Sequence, residues 1–311
     1  MDNGYGFKRP GEYGAAVITE NLEANLRSWL TWSLLGTGAF DNIVQGQAGA
    51  YGGNLSRLRP ATDERYPARS VWEASRGDWV WESGLSYATQ PKTISGLWVN
   101  STWVPATSVG PYAHYVDYLR GRVVFASSIP ATAVVQMEYS RRSVQVRGAD
   151  EPWFREVVFG TYRADRFDLP SPSGGAWGTL AEERVQLPAI VIEPTLYGTA
   201  EPYEIGSDNQ RYQTDFLLHV LAETPWDRKR LRDLLVCQKD KTLKTFDVAQ
   251  TAAPLDPLGR LTPGALTYPQ SCEQAPWRPV TIARVVVTDQ QPLGRYFWWA
   301  TVRYTLDYVA P

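Results

Sequence analysis

The chain has 311 residues, of which 43% are hydrophobic and 21% are charged, and its formal net charge is −2 at pH 7. A chain of this length and composition buries sizeable cores, which excludes a disordered or fibrous protein and favours two globular domains. The slightly negative charge excludes the broad basic surface of a protein that grips nucleic acid through its phosphates.

The sequence predicts neither a disulfide framework nor a membrane segment. Cys237 and Cys272 are the only cysteines, too few for a disulfide-rich secreted scaffold. The first ten residues are polar and glycine-rich, without the apolar core of a secretory leader, and no apolar run reaches 18 residues. We therefore expect a protein that is made and used in a cytoplasm and does not enter a membrane.

The first strong periodicity, Thr19–Phe40, predicts a helix. Leu22, Leu26 and Leu30 recur at four-residue spacing, and two glycines mark the end of the helix. Trp32 lies off this apolar stripe, so it packs either on a second side within the chain or against another chain.

Residues 45–67 are rich in Gly, Ala, Ser, Arg and Pro and lack periodicity. Unstructured segments of this length are uncommon inside compact domains. Two interpretations stay open: an arm that orders against a neighbouring subunit, or a loop that is free on the surface.

Residues 70–146 predict a β-rich domain, because short aromatic and β-branched stretches alternate with turn residues. Asn100-Ser101 can close a hairpin between Trp98 and Trp103. Residues 133–140 alternate between apolar and polar side chains, which indicates a strand with one buried face. Several short strands at this spacing are typical of a sandwich or small barrel.

A segment rich in Pro, Gly and Ser, residues 165–180, predicts a linker between a domain at 1–164 and a second domain at 181–311. The second domain starts with an apolar strand, Leu187–Glu193, which is interrupted by Pro188 and followed by Pro194. A turn at Glu201–Gly206 and a strand at Phe216–Glu223 follow.

The main helix of the second domain is predicted to begin at residue 225. Thr224 is a typical N-cap and Pro225 suits the first helical position. Leu231, Leu234 and Leu235 form the apolar face. After a Pro-rich stretch, two strands close the chain. The predicted fold class is therefore α+β: an N-terminal helix and a sandwich-like β domain, then a mostly antiparallel sheet crossed by one main helix.

No catalytic residue, cofactor site or metal ligand is predicted. His114 and His219 lack companions at ligand spacing. Neither a nucleophile elbow nor a phosphate-binding loop occurs in the sequence. The carboxylate pairs Glu182-Glu183 and Glu201 with Glu204 leave a carboxylate-dependent hydrolase as an alternative, because glycosidases use two such groups.

The 13 tryptophans and 17 tyrosines suit two kinds of surface. Tryptophan is enriched in protein interfaces, and exposed aromatic rings also stack on sugars. Aromatic character, position in the predicted turn, or charge on the main helix predicts the following candidate contact residues: Trp32, Trp98, Trp103, Glu201, Tyr203, Glu204, Arg228 and Arg232.

Three blocks of the sequence resemble the virion neck proteins of contractile-tailed bacteriophages. They are the helix Glu20–Leu30 with Trp32 and the following Gly-Thr-Gly-Ala-Phe, the segment Tyr115–Phe125, and the Leu-Pro-Ala-Ile and Glu-Pro-Tyr-Glu-Ile-Gly sequences. The second domain also resembles the tail-terminator type of ring subunit. The chain departs from that pattern in its Pro-rich insert, residues 252–279, and in its N-terminal β domain.

This resemblance implies a structural protein without enzymatic activity or cofactor, located in the virion. Such a subunit would form a homo-oligomeric ring that joins the portal side of the head to the tail. Its partners would be copies of itself, other neck, portal-side or tail proteins, and DNA that passes through the lumen without sequence-specific binding. A slightly acidic chain suits a lumen in which DNA slides. The alternative is a carbohydrate- or receptor-binding β module.

Overall fold

The structure is a computed structural model, and it describes the following residues: 18–49, 53–151, 154, 186–204, 209–289 and 297–310. Three α-helices and many antiparallel strands within these ranges confirm the α+β fold class. In this part of the chain, no helix is long and apolar enough to cross a membrane.

The described residues form two compact units, and each is built from separate parts of the chain. Unit 1 contains those of Met1–Trp32, Gln145–Ala252 and Tyr268–Pro311, and unit 2 contains those of Ser33–Val144 and Ala253–Thr267. The units therefore do not follow the predicted linear division at 164 and 181. The predicted linker, residues 165–180, lies outside the described residues.

Helix α1 (Ile18–Gly36) confirms the first predicted element. Leu22, Leu26 and Leu30 are buried, as the four-residue spacing predicts. A buried polar residue on the same helix, Asn25, binds the backbone of Phe246: its Nδ2 donates to the carbonyl and its Oδ1 accepts from the amide, each at 2.8 Å. The amide side chain thereby satisfies both polar groups of a buried peptide unit.

Unit 2 contains three small antiparallel sheets, in the orders β1-β9, β2-β3-β7-β6 and β5-β4-β8. Its strands are β1 (Phe40–Ile43), β2 (Arg59–Ala61), β3 (Val71–Glu73), β4 (Gly96–Val99), β5 (Thr102–Pro105), β6 (His114–Asp117), β7 (Arg122–Phe125), β8 (Val135–Gln136) and β9 (Tyr139–Arg142). They share one core, in which Trp72, Trp79 and Tyr139 are among the largest fully buried side chains. These short strands agree with the predicted β-rich domain.

The predicted long loop at residues 45–67 is integrated into unit 2 in its described part. Within it, β2 pairs with β3, and the side chains of Ser56 and Leu58 are buried. Asp63 forms a salt bridge with the buried guanidinium of Arg122, 3.1 Å between Oδ2 and Nη2. The sequence does not predict the buried positions of Leu58 and the Asp63 carboxylate, because two isolated buried side chains produce no periodic pattern.

The predicted hairpin between Trp98 and Trp103 is confirmed. β4 and β5 pair with these two residues directly opposite each other. Asn100 and Ser101 adopt φ of 49° and 67°, the left-handed conformation that a two-residue hairpin turn requires. This turn sets the register of the hairpin and thereby the contact between the two indoles.

Unit 1 is organised around a six-stranded sheet in the order β10-β11-β12-β15-β14-β13. Its strands are β10 (Gln145–Gly148), β11 (Ala189–Pro202), β12 (Gln210–Ala222), β13 (Thr242–Leu243), β14 (Val280–Asp289) and β15 (Trp298–Ala310). Only the β10–β11 pair is parallel. The sheet is therefore mostly antiparallel, as predicted.

Two predicted boundaries in this sheet are wrong. β11 does not end before Pro194 but continues to Pro202, because the register shifts between Pro194 and Gly198 and such an irregularity tolerates a proline. Glu201 consequently belongs to the strand and not to a turn. β12 begins at Gln210, six residues before the predicted Phe216, since pairing with β11 and β15 recruits polar residues that have no strand pattern of their own.

Helix α2 (Pro225–Val236) begins where the sequence predicts. The Thr224 hydroxyl caps it by accepting a hydrogen bond from the Asp227 amide at 3.1 Å. Leu231 and Leu235 are buried, and Tyr304 of the sheet donates to the Leu235 carbonyl at 2.7 Å. A short third helix, α3 (Tyr268–Gln274), lies in the segment predicted as an irregular Pro-rich stretch.

Candidate interaction surfaces

The β4–β5 hairpin of unit 2 presents an aromatic pair. The ring centroids of Trp98 and Trp103 lie 4.5 Å apart in an edge-to-face arrangement. Trp98 is half-buried, whereas Trp103 is 43% exposed. A side chain at Gly96 would approach the Trp103 ring within 2.7 Å, so this glycine allows the indole to lie against the backbone. The structure thus brings these two predicted contact residues together.

The β11–β12 hairpin of unit 1 carries three of the predicted contact residues at its end. Glu201, Tyr203 and Glu204 are all exposed, Tyr203 at 51%. The Tyr203 amide donates to the Asn209 carbonyl at 3.0 Å. The pKa of Arg211 is raised, first by its hydrogen bond to Asp307 and further by the charge of Glu201 on the neighbouring strand. The described part of the hairpin end therefore presents two exposed carboxylates and one aromatic ring, with Arg211 beside Glu201.

Helix α2 places its two predicted contact residues differently. Arg228 is only 9% exposed, and its guanidinium lies 5.4 Å from the centroid of the Trp298 ring. This cation–π contact within the chain removes Arg228 from the exposed candidates. Arg232 is half-buried and donates to Asp233, with 2.9 Å between Nη2 and Oδ1. The helical spacing in the sequence does not reveal that the Arg228 side chain packs against the sheet at Trp298.

The most exposed large apolar side chain on this helix is Trp226, which is not among the predicted contact residues. It is 68% exposed in the first turn of α2. Its position in Pro-Trp-Asp, off the leucine stripe, is the signal that could have identified it. Trp32 on α1 is half-buried, so both of its predicted interpretations stay open.

Polar groups surround the buried side chain of His219 in the unit 1 sheet. The Trp299 indole donates to His219 Nδ1 at 3.2 Å, and His219 Nε2 lies 2.8 Å from Glu193 Oε2. Since an indole N–H can only donate, Nδ1 must accept, and the neutral ring carries its proton on Nε2 and donates it to Glu193. Phe154 packs on the imidazole with 5.0 Å between ring centroids. This arrangement holds one tautomer of a structural histidine.

Burial lowers the pKa of His219 below its ordinary value of 6.5, and the carboxylate of Glu193 opposes this shift only in part. Between the two pKa values the unfolded chain binds a proton that the folded chain does not. The stabilising contribution of His219 is therefore complete above pH 6.5 and is lost as the pH falls through the lowered folded pKa.

We expect the free energy of unfolding to fall between pH 7 and pH 5, and to fall less in His219→Gln. Chemical denaturation at a series of pH values measures both slopes. His114→Gln is the matched comparison in unit 2, because burial also lowers the pKa of His114 and its Nδ1 lies 2.9 Å from the Tyr112 carbonyl oxygen. Equal slopes in the wild type and both variants would contradict the assignment.

Unit 2 also contains an open cavity of about 400 Å³ beside β6, lined by Ala106, His114, Tyr115, Val116, Tyr118, Asp256, Arg260, Leu261, Thr262 and Pro263. The Arg260 guanidinium lies 5.3 Å from the Tyr115 ring centroid, and its Nε donates to Asp256 at 2.7 Å. The Asp256 pair holds the guanidinium in place over the ring.

Among the residues that the structure describes, no group of three or more His, Cys, Asp or Glu side chains could hold a metal ion. Glu182 and Glu183 lie outside the described ranges. Glu201 and Glu204 are exposed at the end of a hairpin. Neither a protein-family model nor a curated protein sequence matches this chain.

Proposed function

We propose that this chain is a non-enzymatic structural subunit of a bacteriophage virion neck, which forms a homo-oligomeric ring around the DNA channel. The observation that supports this proposal is the exposure of three large aromatic side chains on three separate elements: Trp103 at 43%, Tyr203 at 51% and Trp226 at 68%. Aromatic residues are enriched in protein interfaces and often dominate their binding energy. Exposed aromatic side chains at several separate places of the chain are what a subunit that binds several neighbours would need.

The ring would join the portal side of the head to the tail, in agreement with the sequence resemblance to neck proteins. Each subunit would present two different lateral surfaces, because a head-to-tail contact joins one surface of a subunit to the other surface of its neighbour. Such contacts form a ring when the rotation from one subunit to the next adds up to a full turn. Other neck, portal-side or tail proteins would bind above and below. DNA would pass through the lumen without sequence-specific contacts.

The oligomeric state of the purified full-length chain tests the proposal. We expect light scattering coupled to gel filtration to give one multiple of the protomer mass, and electron microscopy to show rings. Trp226→Ala should weaken the assembly or its binding to a neighbouring neck protein, since truncation of an interface tryptophan commonly costs about 2 kcal/mol or more. Monomers at all concentrations, together with absence of the chain from purified virions, would contradict it.

A carbohydrate-binding module is a second candidate, which the Trp98–Trp103 pair favours. Saturable binding on a glycan array that is lost in Trp103→Ala, by a chain that stays monomeric, would support this candidate over the neck protein.

A further inference from the structure

Within the described part of the chain, the outer side of strand β14 is paired along only part of its length. β13 pairs only with Val280 and Thr281 of this strand, and Lys241 extends the contact to Ile282. From Ala283 to Asp289, a stretch that we call the β14 edge, the only strand paired with it in the described chain is β15. Val286 and Val287 are 36% and 39% exposed. An open apolar edge is a template for pairing with another strand.

On the opposite side of the same sheet, the described residues leave a second stretch without a paired strand. β10 covers β11 only from Ala189 to Ile192. From Gly198 to Pro202, a stretch that we call the β11 edge, the described residues pair with this strand only from the β12 side. Among the described residues, the sheet of one protomer therefore has two edge stretches without a paired strand, one on each side.

The directions of these edges match those of a continuous antiparallel sheet. Each of the pairs β11–β12, β12–β15 and β15–β14 is antiparallel, so β11 and β14 run in opposite directions. A rotation about an axis along the strands preserves these directions. It would place the β14 edge of one copy antiparallel to the β11 edge of the next copy.

The two edges also lie at different heights in the sheet. Through the intervening strands, Val286 is level with Glu193 and Asp289 is level with Ile190. Gly198 is level with Ile282, so the two edges do not overlap and extend toward opposite ends of the sheet. Pairing between copies needs a stagger, and a sheet that closes on itself requires a stagger of this kind because its strands tilt.

One charged residue on each edge, Arg284 and Glu201, favours a particular register between the β14 edge of one copy and the β11 edge of the next. Arg284 is opposite Thr305, Thr305 is opposite Asp215, and Glu201 is opposite Arg211. Asp215 and Arg211 are four residues apart on β12, so Arg284 and Glu201 project from the same face of the sheet. Both are exposed, and neither forms a salt bridge with any residue that the structure describes.

We infer that the β14 edge binds the β11 edge of a second copy of this chain, with Arg284 opposite Glu201 of that copy. This inference rests on the proposed ring. The register places Val286 opposite Thr199 of the neighbour and corresponds to a stagger of four residues, about 13 Å. The backbone of the two edges supplies the hydrogen bonds, and the Arg–Glu pair specifies the register.

A charge exchange tests the register in the full-length chain. We expect Arg284→Glu and Glu201→Arg each to raise the concentration at which the ring dissociates by about tenfold or more. The double variant should restore assembly, since the opposite charges meet again. Both residues are exposed, so the single variants should keep the wild-type unfolding transition. Failure of the double variant to recover, with both single variants folded, would overturn the register.

Engineered disulfides test the same contact by geometry, in a Cys237→Ser background that removes the exposed cysteine. Val286→Cys with Thr199→Cys should give, after mild oxidation, a ladder of covalent oligomers up to the ring. Val287→Cys with Thr199→Cys is the matched control, because its side chains point to opposite faces and should give no ladder. If the wild type forms rings but neither the disulfide ladder nor the charge rescue is observed, the proposed edge contact is wrong and the proposed ring still stands. If the wild type forms no rings, the proposed function itself is wrong.

Discussion

Replacement of Arg142 by methionine is expected to lower the free energy of unfolding by about 3–5 kcal/mol. The guanidinium is buried in unit 2, where Nη1 donates to Asp78 and to the Trp79 carbonyl at 2.8 Å. Nη2 donates to both carboxylate oxygens of Glu82 at 2.6 Å. Both carboxylates are buried, so the variant leaves two negative charges without their partner in a poorly solvated site.

Arg141→Met is the matched control on the adjacent residue. Arg141 bonds Asp41 at 3.2 Å, and the Asp41 side chain is exposed. We expect a loss of no more than about 1 kcal/mol. Chemical denaturation gives both values, and hydrogen exchange in unit 2 shows where the loss occurs. Equal losses in the two variants would contradict the assigned role of the buried network.

Gly259→Ala is expected to lower the free energy of unfolding by about 2–4 kcal/mol. Gly259 lies in the turn of the insert, has φ of +75°, and accepts a hydrogen bond from the Tyr118 amide at 2.9 Å. An added Cβ would overlap the Asp117 carboxylate. That carboxylate cannot move aside freely, because it is buried and accepts from Arg122 Nε at 3.0 Å.

Gly264→Ala separates this overlap from backbone strain. Gly264 has the same φ of +75°, but an added Cβ there meets no atom within 4 Å. We therefore expect only the strain of a left-handed alanine, about 1 kcal/mol. Denaturation measures the difference, and hydrogen exchange of the turn at Leu255–Leu261 should increase in Gly259→Ala alone. Similar losses in both variants would show that the contact with Asp117 contributes little.

The elements that the sequence predicts well are those with a local cause. The stripe of Leu22, Leu26 and Leu30 defines α1, and Thr224 determines the start of α2 through one hydrogen bond. Asn100-Ser101 closes its hairpin, because the turn conformation depends on two adjacent residues. The pairing of Trp98 with Trp103 across the hairpin is confirmed for the same reason, since a tight turn places its flanking residues opposite each other.

Other features depend on partners that are distant in the chain. β11 continues through Pro194 and β12 begins at Gln210 because neighbouring strands supply hydrogen bonds to residues without strand propensity. The insert around Gly259 belongs to unit 2 through a contact with a residue about 140 positions earlier. Proline and polar composition describe only the local chain, so they could not predict these pairings.

The candidate contact residues divide in the same way. Residue type and the predicted turns favour Trp103 and Tyr203 as contact candidates, and both are exposed, because an aromatic side chain at the end of a hairpin has little of its own chain to pack against. Arg228 was selected by charge, but packing against Trp298 buries it, while Trp226 and the β14 edge stay exposed. Sequence patterns thus determined helices α1 and α2, the hairpin and the α+β class, but not the short helix α3. Tertiary structure alone decided which charges are buried and which strand edges stay open, because both depend on distant neighbours.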